Sequence, residues 1–409
     1  MPRSKRFLAA GAALCAAVVA AGLVATRDTA AQPRPEQWKK VDEAVKKGLP
    51  KTAIQELEPI IASAIKDKAY PEAVKAVCTK INLEGNIQGN KPEEKVVRLK
   101  AAIATTPAEM HPVMNAVLAH WYWHYFQQHR YRIVQRTAAG DTTGDDVTTW
   151  DLPRILSEVE RQFDRALAAE KQLKATPVAQ YDILLQKGTI PDRYRPTMYD
   201  VLAFDALGFL AAGEHGLTKA DDSFEIAADS PVFAPLADFL KWQPQTTDAG
   251  SRTLKALKLY QTLVAFHAGD ADPSARLDAD LHRLRFGHSR AVGPDKDANY
   301  IKALERFAAD HADHELSAMA RSLWARVEVG RGDRVKARQI ALAGKAAFPN
   351  SPGGQLCHNV VVEIEAREIQ VNTERAWADP QPDIRVTYRN LSRVHFRLVR
   401  SDFTARLQR

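Results

Sequence analysis

The chain has 409 residues, 45% of them hydrophobic and 26% charged, with only three cysteines. This composition excludes collagen-like, coiled-coil and wholly disordered proteins, and also small domains held together by disulfides. The formal net charge is +7, of which +3 lies within residues 1–31 and +4 within residues 366–409. The body between them is neutral, which argues against nucleic acid as a partner, because binding phosphates needs a basic face.

The first 31 residues have the pattern of an export signal. Three basic residues among the first six precede an uncharged, mostly apolar run at 7–25, and small residues follow at Thr29-Ala30-Ala31 before Gln32. We predict cleavage before Gln32, which gives an exported chain in the periplasm or cell envelope. An uncleaved anchor is the alternative, because this run of 19 residues can just span a bilayer. No other stretch is long and apolar enough, so no membrane span is expected after cleavage.

From Trp38 to Ala366 apolar residues recur every three or four positions, which is typical of amphipathic helices. Two clear stripes are Ala53, Leu57, Ile60, Ile61 and Ala64, and Tyr300, Ala303, Leu304 and Phe307. Glycine and proline predict breaks at 48–50, 85–92, 140–144, 188–196, 213–216, 246–250, 287–294 and 349–354. Short helices joined by short breaks predict a mainly α protein, with an irregular α-solenoid over residues 32–366.

One part of this region fits the tetratricopeptide repeat. The window 318–351 has small residues and proline where that repeat needs them, at Ala325, Gly332, Ala337, Gly344 and Pro349. The window 34–67 fits only at Gly48 and Ala53, and Pro59 is predicted to interrupt its second helix. The two windows are not separated by a whole number of repeats of ~34 residues, so the predicted helical pairs are TPR-like and irregularly spaced.

Three local patterns refine the helical region. The run 121–126 places bulky rings on every side of a helix, which predicts a helix buried on several sides. Asp151 is a candidate N-cap for the helix that follows it. Pro196 is predicted to lie in the first turn of another helix.

After Arg367 the apolar period changes from 3.6 to 2, which predicts β-strands. Three strands are expected, around Ile369 and Val371, around Ile384, Val386 and Tyr388, and around Val394, Phe396 and Leu398. A turn at 389–392 separates the last two strands. Three strands cannot form a sandwich without an opposing sheet, so residues 367–409 are predicted to begin an incomplete antiparallel β-sandwich. We expect the chain to be the front of a longer protein, or a truncated one.

Four segments together resemble the N-terminal part of large bacterial α2-macroglobulin-family proteins. They are residues 121–137, 149–152, 181–199 and 369–400, the last containing VTYRNLSRVHFRLVR. The resemblance implies a signal and a helical region before the first macroglobulin-type β-sandwich, in an exported protein that traps or inhibits proteases. The family's thioester motif is Cys-x-Glu-Gln, and neither Cys15, Cys78 nor Cys357 begins one. No bait region is recognisable, so the resemblance implies a scaffold with proteases as partners of the whole protein.

Three groups of polar residues have metal-ligand character. They are His120, His124 and His129; His311, Asp313, His314 and Glu315; and Asp141, Asp145 and Asp146 with Gly140 and Gly144. The first lacks the glutamate of an HExxH site, the second falls in a predicted helix–helix turn, and the third lacks the alternating ligands of an EF-hand. We therefore expect hydrogen-bonded imidazoles, a solvated turn and a flexible acidic loop, with no metal and no other cofactor.

The sequence contains no phosphate-binding loop, no Gly-x-Ser-x-Gly elbow and no Cys-x-x-Cys pair, so we predict no catalytic residues and no enzyme. Cys78 and Cys357 remain after signal cleavage and are either buried free thiols or a disulfide.

Two functions remain open. One is a non-catalytic scaffold of an exported α2-macroglobulin-like protein in cell-envelope protease inhibition; the other is a free-standing periplasmic helical-repeat adaptor for other envelope proteins.

Overall fold

The computed structural model describes residues 34–89, 91–136, 144, 146–213, 223–248, 250–373 and 384–397. The predicted signal, together with Gly140, Asp141 and Asp145, lies outside these ranges. The chain divides into two compact units, one ending at Ala303 and one starting at Leu304. The second unit contains the last helices and the β segment together.

The described residues are mainly helical, as predicted. Eleven helices precede the division: α1 (Pro35–Lys46), α2 (Pro50–Lys66), α3 (Tyr70–Ile87), α4 (Pro92–Thr105), α5 (His111–Val134), α6 (Leu152–Leu167), α7 (Glu170–Lys174), α8 (Met198–Leu210), α9 (Leu236–Lys241), α10 (Arg252–Phe266) and α11 (Ser274–Arg290). Helix α12 (Lys296–Asp310) contains the division, and α13 (Leu316–Arg331), α14 (Arg334–Ala347) and α15 (Pro352–Glu365) follow it.

The apolar stripes identified in the sequence form buried faces of these helices. Ala53, Leu57, Ile60 and Ala64 of α2 are completely buried, and the stripe of α12 is buried as well. Pro59 does not interrupt α2, which corrects the prediction. Pro59 and the residue four positions earlier, Gln55, both lie on the exposed side, so water can satisfy the carbonyl that the proline leaves without a donor.

Helix α5 is buried on several sides, as its aromatic run predicts. Residues 112–119 are all buried, and Tyr122, Tyr125 and Phe126 continue the buried surface. Tyr122 stacks on Trp150 with 5.4 Å between ring centroids. This contact joins α5 to the segment that leads into α6, where the predicted N-cap is confirmed: Asp151 accepts a hydrogen bond from the Arg154 backbone N–H at 2.9 Å.

The start of α8 differs from the prediction. The N-cap is Thr197 and the helix begins at Met198, so Pro196 precedes the helix instead of lying in its first turn. Thr197 and Asp200 form a capping box, in which each side chain accepts a hydrogen bond from the backbone N–H of the other residue. The paired caps stabilise a start at Met198, two residues later than a helix with Pro196 as its first residue.

Four glycines that the sequence assigns to breaks lie inside helices. They are Gly85 of α3, Gly287 of α11, and Gly353 and Gly354 of α15. Each lies where a neighbouring residue approaches closely; a Cβ on Gly287, for example, would lie 2.7 Å from a Val232 methyl carbon. These glycines therefore allow close packing and do not end the helices.

The window 318–351 contains a helix pair, as predicted. Helices α13 and α14 are joined at Gly332, which adopts the left-handed conformation with φ +90° and ends α13. Ala325 and Ala337 are completely buried between packed helices. Gly344 allows α15 to approach α14, because a Cβ there would meet the Cys357 sulfur. The larger solenoid stays a prediction.

Two small sheets complete the described fold. Strands β1 (Ile226–Ala227) and β2 (Ala291–Val292) pair in parallel, which the sequence did not indicate. Strands β3 (Glu368–Thr373) and β4 (Ile384–Arg389) form the expected antiparallel pair.

The third predicted strand is wrong within the described residues. Val394 and Phe396 belong to no strand, and Leu398 lies outside the described ranges. The physical reason is Asn390, which has a left-handed backbone with φ +54° directly after β4. Its side-chain amide donates hydrogen bonds to the carbonyls of Ile364 at 2.6 Å and Ala366 at 3.0 Å, at the C-terminus of α15. The chain therefore turns to the helix instead of starting a third strand.

Candidate functional site

Each of the three histidines of α5 contacts a different neighbouring residue. His120 Nε2 lies 3.2 Å from Asp205 Oδ2 of α8, and His124 accepts a hydrogen bond from Gln128 Nε2 at 2.9 Å. The His129 ring lies against the Tyr125 ring, with 4.6 Å between centroids. These are hydrogen-bonded and ring-packed imidazoles, the arrangement expected for a structural helix.

The two other polar groups also have structural contacts. His311, Asp313, His314 and Glu315 lie in the turn between α12 and α13, where His314 Nδ1 accepts a hydrogen bond from the Leu316 backbone N–H at 3.2 Å. Asp146 caps the short turn that follows it by accepting from the Thr148 N–H at 2.9 Å. Across the described ranges, no group of three or more His, Cys, Asp or Glu residues is placed to hold a metal ion.

Cys78 and Cys357 are both buried free thiols. Burial raises the pKa of Cys78 to about 12. Burial also raises the pKa of Cys357 to about 12, against a smaller lowering by Arg321. The Cys357 thiol donates a hydrogen bond to the Ala318 carbonyl at 3.2 Å. Neither thiol is an activated nucleophile, because nucleophilic attack needs the thiolate.

A group of buried charged side chains lies around the start of α8, and the sequence did not indicate it. His267 is only 2% exposed and lies in the 3-10 turn His267–Gly269 that follows α10. Its Nε2 is 2.7 Å from Asp200 Oδ1, and its Nδ1 is 2.7 Å from Asp270 Oδ2. We call these three residues the aspartate–histidine clasp. A capping box at Thr197 was readable from the sequence, but its histidine partner lies 67 positions away from Asp200 along the chain.

The clasp geometry indicates a protonated imidazole. Both ring nitrogens face carboxylate oxygens, and both can donate only when the ring is an imidazolium. Burial lowers the pKa of His267, but the hydrogen bonds and charges of Asp200 and Asp270 outweigh it, so the pKa is raised above its ordinary value. With both nitrogens donating, the ring has no lone pair with which to accept a proton, so it cannot act as a general base in this state.

A second charged group lies next to the clasp. Asp278 of α11 interacts with Asp200, and its pKa is raised to about 6 by burial, against the lowering effect of Arg195. The Arg195 guanidinium lies 3.9 Å from the Phe204 ring centroid, and Arg195 Nε lies 3.6 Å from Asp278 Oδ2. His282, on the same helix as Asp278, has a pKa well below its ordinary value because of burial and then of Arg195 and Arg285.

The surface above the clasp is a shallow depression of about 300 Å³. It is lined by Arg193, Pro196, Asp270, Ala271, Asp272 and Ala275. Asp270 therefore belongs both to the clasp and to the surface, and it is the only clasp residue with a substantially exposed side chain, at 40%.

The β3–β4 pair is the second feature with an unusual surface. The register places Ile369 opposite Tyr388 and Val371 opposite Val386, all on one face. The other face is polar, with Gln370 opposite Thr387 and with Glu368 paired to Arg389 at 3.1 Å. Ile369, Val371 and Tyr388 are 49%, 54% and 59% exposed. A two-stranded sheet with an uncovered apolar face is only marginally stable by itself, so this face is suited to contact with another layer.

Together these features define a mainly helical protein with a small antiparallel β segment near its end. No helix within the described ranges is long and apolar enough to cross a membrane. Comparison with protein families, curated proteins and solved structures found no match to this chain.

Proposed function

We propose that this chain is a non-catalytic scaffold of an exported α2-macroglobulin-like protein that inhibits or traps proteases in the cell envelope. In this proposal the helices support the start of a macroglobulin-type β-sandwich, which begins at β3 and β4. The main observation that supports the proposal is the uncovered apolar face of the β3–β4 pair, because that face stabilises the fold only when a second layer buries it.

The connection between helix and sheet supports this role. Strand β3 starts three residues after α15 ends. Asn390 directly follows β4, and its side-chain amide donates hydrogen bonds to the carbonyls of Ile364 and Ala366. Arg389 adds a bond from its guanidinium to the Glu363 carbonyl at 3.2 Å. One end of the sheet is thus fastened to α15, while its apolar face stays accessible. A scaffold that presents a sheet to another layer needs both properties.

Protease inhibition is tested with the native protein in envelope extracts. We expect extracts of producing cells to retain an added protease in a high-mass species, and extracts of cells lacking the gene to retain less. Within the native protein, Val371→Lys would place an ammonium on the apolar face and reduce this retention, because burying an unpaired charge is costly. Gln370→Lys is the matched control, since it introduces the same charge on the polar face of the same strand. Equal retention by both variants and by the deletion would contradict the proposal.

Export is a separate part of the proposal. The basic start, the apolar run 7–25 and Thr29-Ala30-Ala31 predict cleavage by a signal peptidase. N-terminal sequencing of the protein from the envelope fraction should begin at Gln32. An intact Met1 on membrane-bound protein would favour the anchor instead.

The helix pair α13–α14 favours the adaptor as a second candidate. Val335, at the start of α14, is 72% exposed, and Val362 on α15 is 52% exposed. In an adaptor, exposed apolar residues on TPR-like helices would contribute to the surface that binds peptides or proteins. The extract experiment separates the two candidates, because an adaptor without protease affinity leaves retention unchanged when the gene is deleted.

A further inference from the structure

We propose that the aspartate–histidine clasp is a pH-sensitive latch, closed while His267 carries both ring protons, which releases the exposed segment 270–272 when the ring becomes neutral under alkaline conditions. The latch joins three parts of the first unit: the start of α8 through Asp200, the turn after α10 through His267, and the segment leading into α11 through Asp270.

The two carboxylates are not equivalent, which determines which one is released. A neutral imidazole has one N–H and can donate to only one of them. Asp200 is buried, and its other oxygen accepts hydrogen bonds from the Thr197 N–H and hydroxyl at 2.9 and 2.8 Å. Asp270 is partly exposed and can be rehydrated at little cost. The remaining proton therefore stays between His267 and Asp200, and the contact with Asp270 is lost.

The charges around the ring set the pH range. Asp200 and Asp270 face it directly, and from α11 Asp278 interacts with Asp200 while pairing with Arg195. Lys174 of α7 lies 4.5 Å from the Phe266 ring centroid, beside His267. Asp278, with a pKa raised to about 6 by burial, is already charged under alkaline conditions, so its titration does not drive the release.

The sign of the pH dependence follows from linkage. The pKa of His267 is raised in the folded protein above the ordinary value of 6.5. The stabilisation is therefore fully present below about 6.5 and is lost as the pH rises through the raised pKa. In the open latch His267 keeps Asp200 but loses Asp270, so its pKa is lower than in the closed latch. Between the pKa of the open latch and that of the closed latch, the opening equilibrium of segment 270–272 rises by up to about tenfold per pH unit, because opening releases one proton.

The test combines a histidine NMR titration with amide exchange on the full chain. We expect one imidazole signal to titrate above pH 6.5, to disappear in His267→Gln, and to change together with faster exchange, corrected for intrinsic rates, at 270–272. Asp270→Asn should shift that titration to lower pH, because it removes one of the two flanking charges. His288→Gln is the control, since His288 also pairs with a carboxylate, Asp297 at 2.8 Å, outside the clasp; it should leave the transition in place.

Two results would overturn the latch. One is a His267 signal that titrates at or below pH 6.5. The other is exchange at 270–272 with the same pH course in the original chain and in Asp270→Asn. If His267→Gln does not fold, Asp270→Asn still decides the question, because it retains the buried pair of His267 with Asp200.

Discussion

Replacement of Gly353 by alanine should lower the free energy of unfolding of the second unit by about 3 kcal/mol, at the upper end of overpacking effects. A Cβ at Gly353 would lie 2.7 Å from the Ala318 carbonyl carbon and 2.8 Å from Met319 Cα. Both are backbone atoms of α13, so no side chain can move aside. Helix α15 would have to separate from α13, where Cys357, Val360 and Ile364 share one core cluster with α13 and α14.

The control for Gly353→Ala is Gly330→Ala in α13. Gly330 is exposed, and a Cβ there meets nothing within 4 Å. The control should therefore stabilise by about 0.5–1 kcal/mol, which is the ordinary preference of a helix for alanine. Urea unfolding, with amide exchange in α13 to α15 to locate the loss, measures both variants. Equal stability of the two would show that α15 does not depend on this close approach.

The glycines show how far the sequence determines the fold. Periodicity predicted the helices well, because a buried stripe such as that of α2 repeats along one segment. The tetratricopeptide pattern of window 318–351 includes Gly332, which the structure places directly after α13 in a left-handed conformation. Gly353 was misinterpreted as part of a break, because its role depends on α13, more than thirty residues earlier in the chain. A local pattern does not contain that contact.

The same limit applies to the candidate site. The Thr197–Asp200 capping box is a local motif and could be predicted, although Pro196 led to a predicted helix start two residues too early. His267 had no sufficient local signal. Asp270 lies only three residues away, but the buried partner Asp200 becomes evident only once α8 and α10 are packed together. On the β segment, alternation predicted β3 and β4 correctly but also extended to Val394 and Phe396. Asn390 prevents that strand by bonding to a helix end, which no alternation can indicate.

Arg283 is the buried charge whose removal should have the largest effect in the first unit. It is 1% exposed, and its Nη1 donates to the carbonyls of Val232 at 3.0 Å and Ala234 at 3.1 Å. Its Nη2 lies 2.7 Å from Asp280 Oδ1, and its guanidinium lies 4.6 Å from the Phe239 ring centroid. One side chain of α11 thus holds the segment that leads into α9.

Arg283→Met should destabilise the first unit by about 3–5 kcal/mol, because it leaves a buried carboxylate without its cation and two carbonyls without a donor. Arg285→Met is the control: Arg285 is exposed on the same helix, and the change should alter stability by only about 0.5 kcal/mol. The double variant Arg283→Met with Asp280→Asn should recover part of the loss, since the amide removes the unpaired charge. Urea unfolding of the original protein, the two single variants and the double variant measures these changes in the free energy of unfolding. A double variant no more stable than Arg283→Met would place the cost in the carbonyls of Val232 and Ala234 instead of in the ion pair.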